Sequence, residues 1–376
     1  MIDISKERAD ITKEVTINLE SVRYSCELQL RNKLTCIIGD SGRGKTEFTR
    51  QLQYPLTKVT VSNGYQVVNL TNVLFQQSLQ FALRHNKNND KVSKFLNEYW
   101  RNLDNVPYQN CILMIDDEEF IKTEEFAVYY NTDVSNYFVI IDRSDLHQLS
   151  YSPSSIYKFV AQGKNHYIAK YYDFNWDPEA HIDYIIVEGV GSDYIFFKEM
   201  FESRFVVCNP MQFSGLSSGG RFNVVKMIET NTNIFHGKTI MLLVDYCAFG
   251  SNIQSLQNLC SKLNMRLLLN PKYLSFEYML LKSNLIKCDI DNLLSKEQVA
   301  CSNVEEYCTR KLREVTNGTY YAYSKTGSDF SVCYYKDCCQ NQSNMGDCTH
   351  RLQYINKSKI MELLRKTDFE FLLDLK

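Results

Sequence analysis

The amino-acid sequence predicts an α/β protein: two consecutive units with parallel sheets, followed by a small Cys-rich α+β region. Three observations predict it. Short, fully apolar runs recur along the chain, and several end in an acid, as strands buried on both faces do. A glycine-rich phosphate-binding pattern sits between one such run and a helix-compatible stretch. Length and composition are those of an ordinary globular chain, with 376 residues, 44% hydrophobic and 23% charged. The expected division is residues 1–178, 179–290 and 291–376.

The first unit begins its argument at Leu34–Ile38, an apolar run read as a buried strand. Gly39, Asp40, Ser41, Gly42, Arg43, Gly44, Lys45 and Thr46 follow and fit G-x-x-x-x-G-K-[ST] at every fixed position. The glycines let backbone amides approach a pyrophosphate, Lys45 neutralises the outer phosphates, and Thr46 supplies a hydroxyl for Mg²⁺. Residues 47–52 then read as a helix. The next apolar run, Cys111–Ile115, ends in Asp116-Asp117-Glu118-Glu119. Asp116 is expected to hold the Mg²⁺ through water, and Asp117 or Glu118 is placed to orient an attacking water. A third run, Tyr137–Ile141, leads to Asp142-Arg143. Arg143 is the candidate contact to a γ-phosphate, with a surface arginine as the alternative. Residues 70–105 read as helical, and 157–160 with 166–170 as closing strands. The pattern breaks near Pro178.

In the second unit, Tyr184–Val187 ends in Glu188-Gly189, and Ile240–Val244 ends in Asp245. Helices are expected over 194–201 and 222–228, with a strand at 205–207. Two acids at the carboxyl ends of strands in one small unit would converge on a divalent metal. The alternative is a pair of ordinary strand-end acids facing solvent.

Two resemblances follow from these residues. The first unit resembles the core of P-loop ATPases, of the AAA or ABC-like branch, which implies ATP and Mg²⁺. Leu216-Ser217-Ser218-Gly219-Gly220 looks like an ABC signature, but it lies inside the second unit's strand–helix pattern. The second unit looks like a TOPRIM domain, carried by Glu188-Gly189, Ser192-Asp193, the Gly219–Val224 helix start and Asp245. The fusion is similar to bacterial anti-phage effectors, namely the overcoming-lysogenization-defect nucleases and the PARIS effectors. That resemblance implies a Mg²⁺-dependent nuclease on DNA or RNA, with Glu188 and Asp245 as ligands, Asp193 and Glu277 as further carboxylates, and residues 274–281 as the acidic helix that follows the core. It also implies a homo-oligomer or a defence-system partner protein. Cys247 stands where the second aspartate of an Asp-x-Asp pair belongs, and a thiol is a poor ligand for Mg²⁺. The competing reading is a non-catalytic, ATP-dependent sensor whose degenerate second unit only binds.

Thirteen cysteines are the least ordinary count. The opening residues carry no apolar run of a signal peptide, and no window approaches 18 consecutive apolar residues. The expectation is a cytoplasmic protein with reduced thiols and no membrane association. Cys333, Cys338, Cys348 and His350 make a candidate Zn²⁺ set, against the alternative of small apolar fillers in a Tyr-rich region. Lys and Arg number 42 against 44 Asp and Glu, so bulk charge gives no support for holding nucleic acid by phosphate neutralisation. Residues 357–365 read as an amphipathic packing helix.

Overall fold

The computed structural model describes residues 15–21, 25–30, 33–38, 45–53, 56–69, 111–116, 119–122, 126–127, 130, 136–142, 146–162, 165–172, 176–283, 285, 304–317, 323 and 357–376. The chain is mixed α/β, with a large sheet and helices. It divides between Tyr172 and Asp173 into two compact units, and residues 304–317, 323 and 357–376 belong to the second.

The first unit is organised by nine strands: β1 (Val15–Glu20), β2 (Ser25–Leu30), β3 (Leu34–Ile38), β4 (Lys58–Val61), β5 (Gln66–Asn69), β6 (Cys111–Asp116), β7 (Tyr137–Asp142), β8 (Ile156–Gln162) and β9 (Asn165–Lys170). Their order is β4-β1-β2-β9-β8-β3-β7-β6-β5. The block β8-β3-β7-β6-β5 is parallel, whereas β1 pairs antiparallel with β2 and β4, and β8 with β9. The sheet is therefore mixed, where the sequence predicted a parallel one. The apolar runs of β3, β6 and β7 are buried throughout, apart from the half-buried Asp116 at the end of β6. β1 and β2 instead alternate, with Val15, Ile17, Leu19, Cys26, Leu28 and Leu30 on the buried face.

One connection fixes the curvature of this sheet. β4 and β5 lie at opposite edges of the pairing order, yet only residues 62–65 separate them. Five peptide steps reach at most about 18 Å, whereas eight strand spacings of about 4.8 Å total roughly 38 Å. The sheet must curl back on itself. The core agrees, because Ile17 and Leu28 share one cluster with Ile37, Met114, Val139 and Phe48. Phe48 belongs to helix α1 (Lys45–Gln53), the next described element after β3. The turn is made by Asn63 (φ 63°) and Gly64 (φ 75°), left-handed conformations that these residues adopt at low cost. Beyond it Tyr65 packs edge-on against Tyr137, with ring centres 5.3 Å apart.

The second unit has four parallel strands, β10 (Tyr184–Val187), β11 (Val206–Cys208), β12 (Thr239–Leu243) and β13 (Arg266–Leu268), in the order β11-β10-β12-β13. Its helices are α2 (Ser192–Phe201), α3 (Arg221–Thr230), α4 (Thr232–Phe235), α5 (Ile253–Leu263), α6 (Phe276–Lys282), α7 (Val304–Thr316) and α8 (Lys357–Leu364). The chain leaves β10 toward β11 and leaves β12 toward β13, in opposite directions. A sheet with that reversal opens a crevice at the carboxyl ends of the two strands. The C-terminus closes the other end: the Ile182 amide donates to the Lys376 carbonyl at 2.7 Å, and Phe371 packs against Trp176 at 5.0 Å. The described parts of residues 291–376 thus belong to this unit rather than to a separate extension.

Candidate functional site

Of the nucleotide-site residues in the first unit, Gly39, Asp40, Ser41, Gly42, Arg43, Gly44, Asp117, Glu118 and Arg143 lie outside the described residues. Lys45 and Thr46 open α1, with their side chains likewise outside the description. What is described around them is ordered by β3, β6 and β7. Ile38 is registered beside Asp142, and Asp116 beside Ile141, so Asp142 ends the strand next to the exit from β3 and Asp116 the strand beyond it. Within the parallel block β8-β3-β7-β6-β5, the next strand in sequence after β3 is β5, on the β7 side, and the next after β7 is β8, on the other side, again a reversal at neighbouring strand ends. Thr49, one turn beyond Thr46 on α1, donates its hydroxyl to Asp116 Oδ2 at 2.7 Å. Asp142 is buried, with Lys122 Nζ 4.0 Å away. The sequence pattern gave no role to Thr49, although its spacing from Thr46 places both on one helix face.

The second unit gathers the acids that the sequence singled out there. Glu188 follows β10 at once, and its backbone amide continues the ladder to the Leu243 carbonyl at 3.1 Å. Its Oε2 accepts the Asp245 amide at 2.9 Å, so the two strand ends are tied through an acid side chain. Asp193 lies in the first turn of α2 and accepts the Gly189 amide at 3.0 Å. A Cβ at Gly189 would stand 2.1 Å from an Asp193 carboxylate oxygen, so any larger residue there must displace that side chain. Glu277, in the first turn of α6, is buried and accepts the Tyr323 hydroxyl at 2.5 Å. Ser275 caps that helix by accepting the Tyr278 amide.

Electrostatics show that the four acids share one environment. Burial pushes the Asp193 carboxyl up to about 6, aided by the charge of Glu277 and opposed by backbone amides. Burial pushes the Tyr273 phenol well up, and Asp193, Asp245, Glu277 and Glu188 all add to it. Tyr323 is raised chiefly by burial and then by Glu277. Cys247 is 7% exposed, and its thiol is held well above the usual range by burial, with Asp245, Cys308, Glu188 and Glu277 adding. With no cation bound it is therefore a protonated thiol at neutral pH.

A single segment braces both strand ends. The Gly220 amide donates to the Glu188 carbonyl at 3.0 Å, and Arg221 Nη1 donates to the Ala248 carbonyl at 2.6 Å. The Asn223 amide group donates to the Ser218 and Gly219 carbonyls and to the Ser218 hydroxyl, each at 3.0 Å. A Cβ at Gly219 would meet the Glu188 carbonyl at 2.6 Å. The signature-like Leu216–Gly220 stretch therefore serves the acidic crevice of its own unit.

Carboxylate oxygens are the donor type that a hard divalent cation takes. Among the described residues, however, no three His, Cys, Asp or Glu side chains are arranged to hold a metal ion. Glu188, Asp193, Asp245 and Glu277 are close enough to shift common neighbours, yet Glu188 and Asp193 accept from backbone amides and Glu277 from a phenol. Tyr273, Tyr323 and Cys308 are the members that sequence reasoning missed. The Zn²⁺ candidates Cys333, Cys338, Cys348 and His350 lie outside the described residues. Among the described residues, no helix is long and apolar enough to cross a membrane. Compared with known proteins, the chain matches no family model, no curated protein and no solved structure.

Proposed function

We propose that the chain is an ATP-regulated phosphodiesterase: a P-loop NTPase unit joined to a TOPRIM-like unit that cleaves DNA or RNA with a divalent cation. The observation that carries this reading is the meeting of Glu188 and Asp245 at the crevice between β10 and β12, with Asp193 and Glu277 in the same electrostatic environment. In such a site Mg²⁺ supplies charge stabilisation at the scissile phosphate and lowers the pKa of a bound water. Glu188 and Asp245 would be its ligands. Asp193 supplies a further carboxyl, which burial raises to about 6 before any cation is bound. In the first unit, ATP and Mg²⁺ are assigned to Gly39–Thr46, with Thr46 and Asp116 on the cation and Arg143 on the γ-phosphate. A role in anti-phage defence, with a homo-oligomeric or partnered assembly, rests on resemblance alone.

A second reading is an ATP-dependent sensor whose acidic unit binds without cutting. It is favoured by Cys247, a neutral buried thiol where another carboxylate would complete the ligand set. Incubation of labelled DNA and RNA with Mg²⁺ or Mn²⁺ separates the two. The nuclease reading expects cleavage by the wild type and none by Glu188→Gln. No cleavage by either, or equal cleavage by both, leaves the sensor. Lys45→Ala should abolish ATP binding; retention of normal binding would remove the phosphate-loop assignment.

A further inference from the structure

Contacts made by its neighbours place Glu277 at the acidic crevice. The Cys247 amide, two residues after Asp245, donates to the Leu274 carbonyl at 3.2 Å. Phe276 packs its ring against Phe196 and Phe197 of α2, with centres 5.5 and 5.8 Å apart. The same helix carries Asp193 in its first turn. Glu277 is 5% exposed and Tyr323, whose hydroxyl it accepts on Oε1 at 2.5 Å, is 6% exposed. Bulk water therefore does not readily replace that donor. Burial, and then Glu277 itself, hold the phenol in its protonated, donating form.

We infer that Tyr323 sets how tightly the crevice takes up a divalent cation, by holding Glu277 in a hydrogen bond that the cation must weaken. The inference rests on the phosphodiesterase reading above, which places a cation among these acids. Glu188 and Asp193 are held differently, by the backbone amides of Asp245 and Gly189. Those donors are fixed by the course of the chain at the ends of β12 and β10. A phenol O–H turns about its C–O bond, so among these donors Tyr323 is the one that yields without moving a strand end. A carboxylate stabilised by a charge-assisted hydrogen bond gains less from a cation than a bare one. Removing the phenol's hydroxyl leaves a buried charge without that donor, a cost that the cation-free protein bears and a bound cation relieves. Tyr323 is thus a positioning residue, acting through Glu277.

The test is isothermal titration of the nucleotide-free full chain with Mn²⁺ and with Mg²⁺. The wild type should bind a cation that Glu188→Gln loses. Tyr323→Phe keeps the ring and removes only the hydroxyl. It should bind Mn²⁺ roughly 10- to 150-fold more tightly, the worth of one hydrogen bond to a charged group. In a Glu277→Gln background no carboxylate remains for the phenol to stabilise, so Tyr323→Phe should there change nothing. Unchanged or weaker binding by Tyr323→Phe, or an equal gain in the Glu277→Gln background, overturns the role of Tyr323 and leaves the cation site standing. If Tyr323→Phe unfolds in chelator, refolding on Mn²⁺ supports the role and failure to refold overturns it. A wild type and a folded Tyr323→Phe that both bind neither cation overturn the phosphodiesterase reading as well.

Discussion

Replacing Asp193 by asparagine should stabilise the second unit at neutral pH and do much less in acid. Asparagine keeps an oxygen to accept the Gly189 amide at the position Asp193 Oδ2 now occupies, and it cannot ionise. In the wild type the carboxyl is raised from 3.8 to about 6 by burial and by Glu277. A raised acid binds its proton more tightly in the folded state than in the unfolded one. Folding stability therefore falls as pH rises through that window and is flat above it. The shift of about two pH units corresponds to about 3 kcal/mol at most. Part of the loss has already occurred at pH 4.5, so roughly 2 kcal/mol should separate the stabilising effect of Asp193→Asn at pH 7.5 from that at pH 4.5. The assay is hydrogen exchange of the β10 and β12 amides at both pH values in chelator, which reads the second unit by itself. An equal gain at both pH values would mean that the effect is packing rather than charge, and a loss at pH 7.5 would refute the assignment of Asp193 as a destabilising buried acid. Added Mg²⁺ at pH 7.5 should then stabilise the wild type more than the variant.

Gly219→Ala places a Cβ 2.6 Å from the Glu188 carbonyl and must displace the Gly220 hydrogen bond; it should cost about 1–3 kcal/mol in urea unfolding. Gly237→Ala meets no atom within 4 Å and suffers only its left-handed φ of 68°, so about 1 kcal/mol is expected. Thr49→Val removes the donor to Asp116 at nearly constant volume; it should lower the thermal stabilisation that Mg²⁺-ATP confers more than that from ATP in chelator, and equal effects would detach Thr49 from the cation. In the native protein iodoacetamide should label Cys260, which is partly exposed with its thiol pushed up to about 11, before Cys247, which is buried and raised further; mass spectrometry of timed samples gives the order.

Much of the fold was legible because strands buried on both faces read as unbroken apolar runs. Leu34–Ile38, Cys111–Ile115, Tyr137–Ile141 and Tyr184–Val187 all became strands at or within one residue of those bounds. β1 and β2 carried an equally clear signal of another kind, apolar residues at every second position, which a search for continuous runs passes over. β4 (KVTV) and β5 (QVVN) are too short and too exposed to stand out, and their pairing is non-local. The curl of the sheet follows from them, so it was not legible either. In the site, Glu188 and Asp245 were visible as acids ending apolar runs. Tyr273 and Tyr323 were not, since nothing in their local sequence marks them. They reach the acids only through packing that joins positions 46 residues apart for Tyr323 and Glu277.

The acid surplus in this crevice has a physical consequence. Four carboxylates that share one part-buried environment cannot all ionise without cost, and the structure meets that cost by donors: amides at Glu188 and Asp193, a phenol at Glu277, and a proton near neutrality on Asp193. A cation would compete with each of these. A thiol at position 247 adds no further negative charge, so the site can persist without a metal where a fifth carboxylate would demand one. Cys247→Asp tests that balance. Ionised, the new acid would sit beside Asp245, Glu188 and Glu277 and should destabilise the second unit by several kcal/mol in chelator. Mn²⁺ or Mg²⁺ should restore most of the loss if the crevice is a cation site. Failure of both cations to restore it would leave Glu188 and Asp245 as a structural tie between two strands.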